Sequence, residues 1–213
     1  MGKEDKMAKN NRTVDRIQAV WNILGGEEGV DRLIKGEITV SEPKHPWRDE
    51  YCVVNFSVTS DGTTGEEWIK RLEDKGFHLD TYVKRILRSP EFKPTDGVMT
   101  EVVILKGMLF ADSNRFTKTI RAEADKRNLT KPNAEIACLI REKFTDEEIW
   151  LMGFWWIVVM HEPVKIDDLY LLLCAHHHVH RYPLLNATSG QPESSWGRVY
   201  GFAFAVSQEK VHA

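Results

Sequence analysis

The stretch "IWLMGFWWIVVM", Ile149 to Met160, decides how the chain is read, because it is the longest apolar run in the sequence. It either crosses a membrane or lies in a core. It falls well short of the roughly 20 apolar residues that a spanning helix needs. Acidic residues flank it on both sides, "TDEE" before and "HEP" after. From Phe154 onward it is aromatic and β-branched with no polar break, as expected of a strand covered on both faces. The expectation is a soluble α+β protein with "FWWIVVM", Phe154 to Met160, as a central buried strand. Trp155 and Trp156, if fully buried there, would each be costly to truncate.

Outward from that strand, the chain changes character. Downstream, Leu169–Leu173, Leu184–Ala187 and Gly201–Val206 read as further short strands between long polar loops. Upstream, helical and strand patterns alternate. "TVDRIQAVWNILGG" and "GVDRLIKG" read as helices, the first with Thr13 as N-cap. "EITVSE" and "YCVVNFSVTS" read as strands. "TGEEWIKRLEDKGF" reads as a helix closed by Gly76, and "HLDTYVKRILRSPEF" as a second helix. "VMTEVVILKG" reads as a strand. "NRFTKTIRAEADKRNL", "KPNAEIACLIREKF" and "TDEEIWLMG" read as three more helices, with Pro132 at a first helical position. The expected organisation is a flexible tail over 1–12, a mixed α/β region over 13–152 and a β-rich region over 153–213, the last two either separate or one continuous domain.

The 213 residues suffice for a core without disulfide staples, and apolar and charged contents of 42% and 29% are ordinary for a globular chain. A net charge of −3 with interleaved signs gives no general attraction to nucleic acid. The basic residues of "TKTIRAEADKRNLTK" alternate with acidic ones, as on a solvated helix face. "MGKEDKMAKNNR" has no signal-peptide character. The cysteines, Cys52, Cys138 and Cys174, are odd in number and show no metal-ligand spacing, with Cys138 on an apolar helix face. The expected compartment is a reducing cytoplasm, without a membrane partner or a cofactor.

Chemistry concentrates in "LLLCAHHHVHRYPLLNATSG", Leu171 to Gly190, which holds four of the eight histidines. On a strand His176 and His178, or His178 and His180, would share a face, with Cys174 in the same alternation. Imidazoles so placed could bind zinc, yet no acidic or cysteine partner completes a recognised ligand set. His161 in "VVMHEP" could serve acid–base chemistry, although a polar strand end before a proline is the simpler reading. "SDGTTG" lacks the lysine and glycine spacing of a phosphate loop and reads as a turn. The enzymatic reading is therefore a small metal-dependent enzyme built on His176–His180.

Another reading comes from composition. From Ile166 to Gly190 there is no Lys, Glu, Gln, Met or Trp. Every residue type present can be written with a codon ending in a pyrimidine, as if the first two codon positions had been randomised. The tail "SSWGRVYGFAFAVSQ" resembles the C-terminal end of the variable proteins of diversity-generating retroelements. The whole chain is also similar to uncharacterised bacterial proteins carrying "FSVTSDGTTG", "LTKPNAE" and a "W-x-R-x-x-GFAF" ending. The first resemblance implies a C-type-lectin-like fold with a diversified ligand-binding face. Its framework would be Trp196, Arg198, Gly201, Phe202 and Phe204. Variable positions would be Leu184, Asn186, Thr188, Ser189, Ser194, Ser195, Gly197, Val199 and Tyr200. The tail departs from that family in reading "GFAF" where many members have "GFR", and the helical N-terminal half is larger. The binding face expected on this reading comprises His176, His178, His180, Tyr182, Leu184, Asn186, Thr188, Ser189, Ser194, Ser195, Val199 and Tyr200. Its partner would be a protein or other macromolecule, with no catalytic residue and no metal.

Overall fold

In a computed structural model, residues 21, 24, 26–38, 45–176 and 183–207 are described. Contacts divide the chain into Met1–His45 and Pro46–Ala213. In the first unit, α1 (Glu27–Ile34) carries Glu27 and Glu28 in its first turn and Arg32 in its last, matching the helix dipole. It coincides with the expected "GVDRLIKG" helix. The Thr13 cap and most of "EITVSE" lie outside the described residues.

The second unit is built on one mixed sheet. Its strands are β1 (Arg48–Glu50), β2 (Val53–Asp61), β3 (His78–Leu79), β4 (Asp96–Lys106), β5 (Leu129–Thr130), β6 (Trp156–Val159), β7 (Val164–Ile166), β8 (Leu169–His176), β9 (Leu184–Ser189) and β10 (Tyr200–Val206). Their order is β1-β2-β4-β10-β6-β8-β9-β3, with β5 added to β10 and β7 to β8. β10 lies antiparallel to β4 and parallel to β6. The last strand among the described residues thus joins the N-terminal hairpins to the C-terminal ones.

Helices cover both faces. Those of the second unit are α2 (Gly65–Asp74), α3 (Thr81–Leu87), α4 (Thr117–Lys126), α5 (Ile136–Lys143) and α6 (Asp146–Leu151). Alternation along the strands divides the core. Ile104, Ile157, Val159, Leu173 and Ala203 pack with α2, α3, α5 and α6. Leu105, Val158, Cys174, Phe202 and Phe204 pack on the other side with Ile120 and Ala124 of α4 and with Trp196. Ile157 to Met160 are fully buried, so the second half of the apolar run is an interior strand, while Ile149–Leu151 end helix α6. Among the described residues, no helix is long and apolar enough to cross a membrane.

Sequence motifs take structural roles here. "SDGTTG" is the turn from β2 into α2: Thr64 and Glu67 form a reciprocal capping box. A Cβ on Gly65 would come within 1.8 Å of Leu87 O, so only glycine lets α2 approach α3 this closely. The turn meets "LTKPNAE" through buried Glu135, which accepts from Trp68 Nε1 at 3.2 Å and from the Thr95 amide at 2.9 Å. Thr95 Oγ1 in turn lies 2.8 Å from Ser60 Oγ.

Several expectations are corrected. Trp155 is 46% exposed and Trp156 half-buried, because the strand only begins there and only the following residues are covered. Pro132 is not a first helical residue: α5 starts at Ile136, after Asn133 Oδ1 has accepted the Glu135 amide in a turn. The helix read from His78 begins at Thr81, capped by Asp80, because His78–Leu79 pair with β9. Tyr51 and Cys52 have positive φ and form the β1–β2 turn rather than strand.

Candidate binding face

The register of the sheet sets an aromatic row across four strands. His176 of β8 pairs with Trp156 of β6 on one side and Leu184 of β9 on the other. Trp156 pairs with Tyr200 of β10. Directly paired residues point to the same face. The Trp156 and His176 rings are 4.3 Å apart, and Trp156 and Tyr200 stack at 5.5 Å and 13°. All four side chains are half-buried.

The next rows on this face are interior. Asn186 pairs with Cys174, and Thr188 with Leu172. Cys174 and Leu172 are fully buried, whereas Asn186 and Thr188 are partly exposed on the outer strand. Leu184, Asn186 and Thr188 therefore alternate outward on one face while Leu185 is buried on the other. Asp80 secures this outer strand. One carboxylate oxygen accepts the Val83 amide at the start of α3 and the other, at 3.1 Å, the Ala187 amide, which is shared with Asn186 Oδ1 at 2.8 Å.

The framework beneath is fixed by Trp196 and Arg115. Trp196 packs on Phe202 at 5.8 Å and donates Nε1–H to Thr117 Oγ1 at 3.0 Å. Buried Arg115 donates to the carbonyls of Gly107, Phe110 and Trp196, tying the loop before α4 to the loop before β10. A Cβ on Gly201 would meet Ile104 and the Phe154 ring within 2.8 Å, which accounts for the glycine of "GF".

The expected face residues fall into groups. His176, Leu184, Asn186, Thr188 and Tyr200 share the face just described. Exposed Val199 lies beside Trp155, whose amide it accepts at 2.9 Å. Ser189 and Ser194 meet through their hydroxyls at 3.0 Å at the far end of β9, and exposed Ser195 bridges to Phe116. His178, His180 and Tyr182 lie outside the described residues. Trp156, the centre of the row, was read from sequence only as core. Its parity with Val158 and Met160 was the available signal. Arg115 and Asp80 gave none, since each acts through contacts distant in sequence.

Electrostatics argue against acid–base chemistry at the other candidates. His161 is buried; Nδ1–H donates to the Glu162 carbonyl at 2.6 Å and Nε2 accepts the Leu173 amide at 2.9 Å. Burial lowers its pKa to about 4, so both nitrogens serve the backbone and the ring is neutral at physiological pH. Burial likewise pushes the Cys174 thiol well up, and it faces the Asn186 carbonyl at 3.5 Å. Burial also raises the Tyr200 phenol. Among the described residues no group of three His, Cys, Asp or Glu is placed to hold a metal ion. Compared with protein-family models, with curated proteins and with solved structures, the chain shows no match.

Proposed function

We propose that this is a non-enzymatic binding protein that presents a diversified C-terminal face to a protein or other macromolecular ligand. The observation that carries the reading is the alternation of Leu184, Asn186 and Thr188 outward beside His176, Trp156 and Tyr200, over buried Phe202 and Trp196. Side chains so placed can be exchanged at little cost to the core, while half-buried aromatic rings give contact area at low entropic cost. The pyrimidine-ending vocabulary of Ile166–Gly190 and the likeness of the tail to retroelement variable proteins support the same reading. On it, the β-rich C-terminal part does the work of the C-type-lectin-like fold in that family. The three free thiols fit a reducing cytoplasm.

The test is genomic. We expect a near-identical copy of the DNA encoding the last 50 or so residues, differing at adenines, beside a reverse-transcriptase gene. A locus lacking such a copy, or a copy whose differences avoid adenines, would refute the diversification.

A further inference from the structure

A second feature lies at the other end of β8 from the aromatic row. A groove of about 370 Å³ opens between the first turns of α4, the β6–β7 connection and the loop after β9. That volume is within the range of small-molecule sites, roughly 300–1,000 Å³. Its charged wall sets Lys118, Arg121 and Lys131 against Glu162, with Glu193 beside it paired to Lys118. Its apolar wall is Pro163, Pro192 and Tyr170.

Arg121 is the centre of the charged wall. Its Nη1 and Nη2 donate to the carbonyls of Met160 at 3.0 Å and His161 at 2.9 Å, which fixes the guanidinium plane. Among the described residues no carboxylate hydrogen-bonds to it. Burial disfavours its charge more than Glu162 and Asp125 support it, so a half-buried cation is short of counter-charge. Lys118 and Lys131 pair with Glu193 and Glu162, but these pairs are exposed and weak enough to be exchanged. The first amides of α4 are taken by the carbonyls of Ser194 and Pro192, so the attraction rests on side chains.

We propose that this groove binds a small planar carboxylate, its head on Arg121 and the two lysines and its flat body against Pro163, Pro192 and Tyr170. The guanidinium fork matches a carboxylate in geometry as well as charge. This site shares no residue with the aromatic row, so either can fail without the other.

The test is titration of the full chain with 2-naphthoate and with uncharged 2-naphthamide, followed by amide NMR. Naphthoate should saturably shift the amides of Lys118, Gly190 and Gln191, and naphthamide should not. The double variant Lys118→Gln, Lys131→Gln, confined to exposed lysines, should weaken naphthoate by about tenfold. Arg121→Lys should weaken it further while the spectrum stays folded. Trp155→Ala should leave it unchanged. Equal binding of the two probes, wild-type affinity in the double variant, or loss of binding in Trp155→Ala would overturn the proposal.

Discussion

His161 sits where a catalytic histidine could sit, yet its surroundings make it a backbone bridge between β6 and β8. The folded pKa of about 4 lies below the ordinary value near 6.5, so the unfolded chain binds a proton first as pH falls. The sign follows. This contribution is fully present above about pH 6.5 and is lost progressively as pH falls from there toward 4. With burial nearly complete, its size is on the order of 3 kcal/mol. Chemical denaturation at pH 7 and pH 4.5 should show that loss in the wild type. His161→Gln should be less stable at pH 7 and change less between the two. A wild type equally stable at both pH values would refute the bridge. The tryptophans make a second residue-scale contrast. Trp196→Ala removes a buried ring and should cost about 3–5 kcal/mol. Trp155→Ala, at a site nearly half exposed, should cost no more than about 1 kcal/mol. Thermal melts of the two variants check the order.

Asp80 joins two elements at once, capping α3 and holding the edge of β9 beyond the end of β3. Asp80→Ala should lose about 1–2 kcal/mol from the cap alone. It should also speed hydrogen exchange at Ala187, a readout that an α3 effect alone would not move. Exchange at Ala187 unchanged in the variant would limit Asp80 to the helix. The edge also shows what was legible in the sequence. The strands β2, β4, β6 and β10 are legible from their β-branched and aromatic runs, α2 and α6 from their apolar spacing and capping boxes, and α4 from its apolar spacing without a capping side chain. The short strands β1, β3, β5 and β7 are not, because two or three residues hold no period and their pairing depends on partners far along the chain. Asn133 and Glu135 read as the start of a helix because their tertiary roles, to Lys93 and to Trp68 and Thr95, leave no local trace.

At the scale of the molecule, β10 holds the sheet together, and the candidate face inherits its rigidity. Phe202 and Phe204 are buried on β10 between β4 and β6, and Trp196 closes over them from the preceding loop. The residues of the proposed face rest on this layer without forming it. The aromatic row was not legible from sequence, because it exists only once β6, β8, β9 and β10 adopt their register. His176, Leu184 and Tyr200 are legible as candidate face residues, whereas Trp156, which joins them, is hidden inside a run that reads as core. This separation makes the display reading a statement about stability. Replacing Asn186, Thr188, Ser195 and Val199 together, with Tyr200 kept because its ring stacks on Trp156, should cost no more than about 2 kcal/mol, since each site is at least partly exposed. Phe202→Ala alone should cost about 3–5 kcal/mol, because it opens a cavity where the sheet is covered on both sides. Urea denaturation of the quadruple and the single variant compares them directly. A quadruple variant less stable than Phe202→Ala would mean that these side chains belong to the core and that the face cannot have been free to vary.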